Sequence, residues 1–303
     1  MSDVLHMETA TSSWRRIAAF VELAKPRIAI LVLVVTALGY YLALPFAAGV
    51  GSLALLIHTL AGTALIASGA NALNQVMEAP FDGRMARTQN RPIPSGRLSA
   101  GEARAFALTL SITGFGYLLL LVNPLTALVA GSSLLIYVLL YTPLKRRTWL
   151  CVFVGAVSGA FPPVIGWAAG AGTLTWMALV PFGVLFFWQL PHFASIAWLY
   201  RDDYRRGGYP LLPVIDVGVS RTSRHLLAHT AWLIIVSCIP AFVGFSNVRY
   251  AAEAVVLGLA FLFFGIRFVV RQTRDSARAH VLASVVYLPL IFALMILGKT
   301  APP

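Results

Sequence analysis

Between Asn71 and Arg97 the chain reads NALNQVMEAPFDGRMARTQNRPIPSGR, gathering amides, carboxylates and guanidinium groups in one place. Asn71, Asn74 and Glu78 are spaced three and four apart, so a helix stacks them on one face. Pro80 is expected to end or bend that helix, with Asp82 in the turn beyond it. Arg84, Arg87, Arg91 and Arg97 come next. Oxygen ligands suit a hard cation. A site with few of them suits magnesium, which keeps several waters and binds through a carboxylate or two plus substrate phosphates. The arginines complement phosphate oxygens, so the stretch reads as a site for a charged, phosphate-bearing substrate.

A second acidic group, Asp202 and Asp203, lies in YRDDYRRGGYP, and a compact cationic group, Lys145, Arg146 and Arg147, lies in YTPLKRRT. Two acidic clusters bracketing a diphosphate, next to long apolar runs, point to a lipid diphosphate whose chain lies among helices. Blander roles compete. Arginines near helix ends are usually topology determinants, and beyond that role Arg87, Arg91 and Lys145 read as functional, with Arg146 beside them as a phosphate-binding candidate. Asp202 and Asp203, flanked by Arg201, Arg205 and Arg206, also fit a solvated ion-pair loop. Asn71, Asn74 and Glu78 are harder to dismiss, because polar groups at the end of a spanning segment are costly unless buried against partners. His192, beside Pro191 and four residues after Trp188, has two readings: a contact to substrate or a metal centre, or a hydrogen-bonded core residue.

The elements that must position these groups are membrane helices. Of 303 residues 59% are hydrophobic and 11% charged, and mean hydropathy is +0.81, a balance that belongs to polytopic helical membrane proteins. Nine apolar runs are long enough to span: Ile28–Ala47, Leu53–Met77, Ala103–Val122, Leu125–Tyr141, Leu150–Ala169, Leu174–Leu199, Leu226–Phe245, Tyr250–Val270 and His280–Leu297. The links between them alternate between neutral and basic. If the basic links share a face, all but Arg249 and Lys299 of the 23 Lys and Arg fall on it. By the positive-inside rule that face, with the amino terminus, is cytoplasmic, and the carboxyl terminus faces outward. The net charge of +12 is therefore a topology signal, and no nucleic-acid partner is needed to explain it. Residues 1–24 read as a cytoplasmic segment without the features of a signal peptide or mitochondrial presequence, so a bacterial cytoplasmic membrane is expected. Residues 25–303 read as one nine-helix domain embedded in the lipid bilayer. Cys151 and Cys238 fall in apolar runs and imply neither disulfide nor zinc site. Acids at the ends of runs two and six suggest two four-helix halves related by a weak repeat.

At these residues the sequence resembles the intramembrane prenyltransferases of the UbiA superfamily, and within it the branch that farnesylates protohaem IX. The resemblance is carried by NxxNQxxExPFDxxMxRTxNRP at Asn71–Pro92, YTPLKRRT at Tyr141–Thr148, FWQLPHF at Phe187–Phe193 and RDDYRRGGYPLLPV at Arg201–Val214. It implies an all-α UbiA-type bundle of nine transmembrane helices. It also implies transfer of the farnesyl group of farnesyl diphosphate to the 2-vinyl group of protohaem IX, with addition of water. Carried over position by position, Asn74, Glu78 and Asp82 form the first magnesium–diphosphate motif, and Asp203 with Asp202 the second. Asp82, Asp203 and Lys145 are then the catalytic candidates, and Asn71, Arg87, Arg91, Lys145, Arg146 and His192 the substrate-binding ones, with His192 expected at the haem. Many superfamily members carry aspartates where this chain has Asn74 and Glu78, which leaves the number of magnesium ions open.

Two other functions compete. A sibling enzyme would prenylate an aromatic acid or quinone precursor instead of haem. A transporter would use its intramembrane acids as an ion path, but here the polar residues gather at one face with no matching acids on the other. No residue pattern identifies a haem-delivering or oxidase-assembly partner.

Overall fold

Hydropathy finds the lipid-soluble middle of a helix, and capping residues set its true ends. The computed structural model describes residues 14–45, 52–216 and 218–300. Nine helices long and apolar enough to cross a membrane lie among the described residues. They are α1 (Pro26–Ala43), α2 (Leu53–Asp82), α3 (Ala100–Leu121), α4 (Pro124–Leu144), α5 (Cys151–Ala171), α6 (Trp176–Leu199), α7 (Ser220–Phe242), α8 (Val248–Arg271) and α9 (Arg274–Leu297). The expected nine-span order holds, with shifted ends. Ala47, the expected end of the first span, is outside the described residues. Ser99 begins α3 with a capping box closed by Glu102, and Thr273 begins α9 with one closed by Ser276. These caps start both helices in polar sequence ahead of the apolar runs.

The largest departure concerns Pro80. It does not end α2, which runs 30 residues through it to Asp82. Proline removes one hydrogen bond and is tolerated this close to a helix end. At ~1.5 Å per residue such a helix is ~45 Å long against a hydrocarbon core of ~30 Å, so its last turns stand clear of the lipid. Asp82 is therefore helical, one turn beyond Glu78 and two beyond Asn74 on a single buried face.

Small residues bring these helices together. A Cβ on Gly62, Gly69 or Gly114 would overlap atoms across the α2–α3 interface, and one on Gly39 would overlap the Pro163 backbone where α1 meets α5. α5 is interrupted at Ala160–Phe161, ahead of Pro162 and Pro163. Pro162 has no N–H for the Ser158 carbonyl, which instead accepts a hydrogen bond from Ser133 Oγ of α4 at 2.9 Å. The C-terminal part of α4, Ile136–Tyr141, is a π-turn with Tyr137 and Tyr141 stacked 5.3 Å apart. A helix at residues 14–24 precedes α1 and turns into it through Lys25, whose φ of 50° is left-handed.

Candidate functional site

Three links meet at the basic end of the bundle: residues 83–99 after α2, 145–150 after α4 and 200–216 after α6. A compact turn network folds the first back on its helix, with Thr88 Oγ1 donating to the Asp82 carbonyl (2.9 Å) and Arg97 donating to the Asn90 carbonyl (2.6 Å). The third begins with a short helix, Arg201–Arg206, that leans on the first. Asp203 there accepts a hydrogen bond from Ala86 N at 3.2 Å, and Tyr204 Oη accepts one from Arg87 at 3.2 Å.

Glu78, Asp82 and Asp203 at this junction are each held by a cation. Lys145 Nζ donates to Glu78 Oε1 at 2.9 Å, with both side chains largely buried. Arg91 donates to Asp82 Oδ2 at 2.7 Å. Arg206 pairs with Asp203. Burial opposes the charge of Lys145, yet the Glu78 carboxylate and the neighbouring tyrosines hold its pKa well above the ordinary lysine value. The ring of Tyr209 lies 4.8 Å from its Nζ.

Beneath this junction a cavity of about 530 Å³ runs down among the helices. Lys25, Asn71, Asn74, Glu78, Arg87, Arg91 and Lys145 line its polar head, and residues such as Ile66, Leu134, Val152 and Leu185 its apolar body. His192 and Gln189 of α6 lie on the wall of the body. Trp188 stacks on His192 at 4.8 Å and donates Nε1–H to the Ser284 carbonyl at 2.7 Å. Ser284 Oγ lies 2.6 Å from the Val281 carbonyl and 2.6 Å from His192 Nδ1, within hydrogen-bond distance of both. His192 Nδ1 is thus engaged by Ser284, and Nε2 makes no hydrogen bond among the described residues.

Most of the residues singled out from sequence converge here, and several are sorted by the fold. Asp202 is not beside Asp203 in function of place: it is exposed and paired with Arg205 at 2.9 Å, while Asp203 turns inward. In a helix adjacent residues point about 100° apart, so both cannot face one site. Arg146 leaves the main cavity, lies over Phe81 at 4.3 Å and lines a small adjoining cleft with Glu78 and Thr142. Asp82 is fully buried behind Arg91 instead of on the cavity wall. Asn71 donates to the Ala24 carbonyl (3.4 Å) and Gln75 to the Leu23 carbonyl (2.8 Å), tying α2 to the turn that carries Lys25. Arg97, expected to act in topology, also pairs with Glu22 at 2.8 Å and fastens the same turn.

Lys25 is the main residue that sequence reasoning missed. Burial pushes its ammonium down to about 7, and Arg91 adds to the shift. In sequence it is one more cation before a span, and nothing local separates it from Arg27. Tyr137, Tyr141 and Tyr204 also line the cavity.

The donor set fits a hard divalent cation. Asp82 Oδ1 is buried with no hydrogen-bond partner, Asn74 spends only its Nδ2 on Thr142 (3.1 Å), and Glu78 meets Lys145 through one oxygen. Among the described residues no three His, Cys, Asp or Glu side chains converge on one point.

The sequence profile of the UbiA prenyltransferase family matches residues 30–293. A protoheme IX farnesyltransferase of Solibacter usitatus is 48% identical over 286 residues, 92% of this chain and 98% of that protein. One of Opitutus terrae is 40% identical over 294 residues, covering 97% and 98%. Among solved structures, a digeranylgeranylglyceryl phosphate synthase superposes with a TM-score of 0.76 at 15% identity, over 93% of this chain and 98% of that one. A UbiA homologue from Archaeoglobus fulgidus bound to GPP and Mg2+ does so with a TM-score of 0.66 at 15% identity, over 91% and 99%.

Proposed function

The chain belongs to the UbiA prenyltransferase family, and we propose that it transfers the farnesyl group of farnesyl diphosphate to the 2-vinyl group of protohaem IX, with addition of water, giving haem O and diphosphate. The observation that carries this reading is one continuous cavity with a cationic head, an apolar body and the His192 imidazole on the body wall. Relatives named for this reaction, 35–48% identical, support the choice of haem over an aromatic acid. Mass analysis of the product after incubation with farnesyl diphosphate and protohaem tests it. The expected result is a farnesyl-plus-water increment on the porphyrin; prenylation of 4-hydroxybenzoate instead would assign the sibling activity.

The head residues do the electrostatic part. Lys25, Arg87, Arg91 and Lys145 surround the space where the diphosphate leaves, and fixed cations aimed at charge that develops in the transition state lower the barrier most. Heterolysis of the allylic C–O bond leaves its electron pair on the diphosphate, and the electron-rich vinyl group attacks the farnesyl carbon. The apolar wall keeps bulk water from that carbon until the new bond has formed. Asn74, Glu78, Asp82 and Asp203 are the residues that would hold magnesium, which when bound neutralises phosphate charge as a Lewis acid. The acid–cation pairs suit this division of labour, acids for the metal and their cations for phosphate. Asp202 and Arg146 have no direct part. The multi-pass protein is assigned to the bacterial inner membrane with the basic face, and so the site, cytoplasmic.

Two expectations arise at this point. Lys25→Gln should raise the KM for farnesyl diphosphate about tenfold, one lost charge contact being worth ~1.4 kcal/mol. Because the Lys25 pKa is lowered to about 7, its ammonium is present below that pH and lost above it. Diphosphate affinity of the wild type should therefore fall as pH rises through 7, and that step should be missing in the variant; equal pH profiles would remove Lys25 from the site. For His192, ferric protohaem titrated into His192→Ala should bind about tenfold more weakly with a shifted Soret band, as expected when Nε2, the nitrogen not engaged by Ser284, is the iron ligand. An unchanged spectrum and affinity would return His192 to a packing role.

A further inference from the structure

A second imidazole, that of His225, lies on the same cavity and has no part in the mechanism above. α7 begins at Ser220, six residues ahead of the apolar run, so His225 and His229 are helical and one turn apart, with ring centroids at 4.1 Å. His229 Nδ1 donates to the His225 carbonyl at 2.6 Å, while the His225 ring makes no hydrogen bond among the described residues. Trp149 and Phe153 of the α5 side meet that ring edge-on at 5.9 and 5.7 Å. Both α5 and α7 pack along α6 but not closely on each other, so the gap between them is bridged by these aromatic side chains and little backbone. Arg221 and Arg224, one turn and one residue before His225, are exposed at the same end.

His225, Trp149 and Phe153 form a chemically specific mouth, and Arg221 and Arg224 stand on the exposed surface at the same helix end. An imidazole without a hydrogen-bond partner offers a nitrogen lone pair to a transition metal. Aromatic rings around it offer a wall for a flat π-system, and paired arginines offer bidentate contacts to carboxylates. A ligand with a ligatable metal, a planar aromatic body and a carboxylate edge uses all three, and a metalloporphyrin with two propionates has that composition. Size points the same way. A cavity of about 530 Å³ suits a single drug-sized ligand, and a prenyl chain bound beneath the head would fill part of it. A tetrapyrrole has to enter through a side that can part, and side chains part more readily than packed backbones.

We propose that the mouth between α5 and α7 is a docking station for the metalloporphyrin, with His225 as its iron ligand, Trp149 and Phe153 as its wall, and Arg221 and Arg224 for the propionates. The acceptor reaches this station before His192, which lies deeper on α6. The inference rests on the reading of protohaem as acceptor.

The test titrates ferric protoporphyrin IX, and in parallel metal-free protoporphyrin IX, into the full-length protein in detergent micelles. His225→Ala is expected to shift the Soret band of the ferric complex and weaken it about tenfold or more, while the metal-free porphyrin binds as to wild type. In a His192→Ala background the same change is expected to remove the remaining imidazole ligation. Unchanged ferric binding in His225→Ala, or an equal loss for both porphyrins, would overturn the assignment. Farnesyl diphosphate binding reports the fold, and if His225→Ala loses it, His225→Gln, close in size and polarity, carries the comparison. A wild-type protein that binds no ferric porphyrin would overturn the acceptor reading itself, a result distinct from wild-type binding that ignores His225.

Discussion

Asp82→Ala is expected to lower kcat by roughly 10²–10³-fold, the cost of removing one preorganised electrostatic group from a reacting centre, while membrane insertion is retained. Asp82 is fully buried, its Oδ2 bound by Arg91 at 2.7 Å and its Oδ1 without a partner, so its loss would empty the proposed ligand position and also free Arg91 from its anchor. Insertion survives because Asp82 is the last residue of a helix much longer than the hydrocarbon core and contributes nothing to the apolar span. Product mass analysis measures turnover, and the amount of the protein in the membrane fraction measures insertion. Asp82→Asn separates charge from volume and should stay close to the alanine variant. Asp203→Ala should behave like Asp82→Ala, whereas Asp202→Ala should be nearly silent, since an exposed ion pair contributes ~0–1 kcal/mol. Near-normal turnover in Asp82→Ala would sink the metal-site assignment, and equal losses at Asp202 and Asp203 would sink the division between them.

Lys145→Met should cost more in two different quantities. Glu78 is almost fully buried and Lys145 is its partner at 2.9 Å. Removing one partner of a buried pair leaves an uncompensated charge, typically about 3–5 kcal/mol, which is a large share of the stability of any domain. Catalysis falls as well, because Lys145 lines the head where the diphosphate leaves. The double variant Lys145→Met/Glu78→Leu distinguishes the two effects. Replacing a buried pair by apolar residues of similar volume is often neutral or stabilising, so thermal stability should recover in the double variant while turnover does not. Recovery of turnover with stability would make the pair a structural brace and take both residues out of the catalytic head.

Much of the fold is legible in sequence because a membrane imposes local rules. Spanning demands about 20 apolar residues and the positive-inside bias marks the ends, so nine spans and one basic face follow from the order of residues alone. The polar stretch from Asn71 to Asp82 is legible for a related reason, since helical spacing fixes which side chains share a face. Where local rules misled, the cause was also local: Pro80 signals a helix end, but in the final turn it costs too little to enforce one.

By itself, then, the sequence determined the class of protein, its nine crossings, the face that carries the charges and the kind of substrate such charges suit. Only the tertiary structure decided how the charges are matched. Glu78 and Lys145 are 67 positions apart, and Ala86 and Asp203 are 117 apart. It turned Asp203 inward and Asp202 out, brought Lys25 to the head through a left-handed turn, and engaged His192 Nδ1 with Ser284 on another helix. Hydropathy and periodicity act between neighbours along the chain. The partner of a buried charge is chosen by whichever distant helix packs against it, and that choice is made only when the bundle closes.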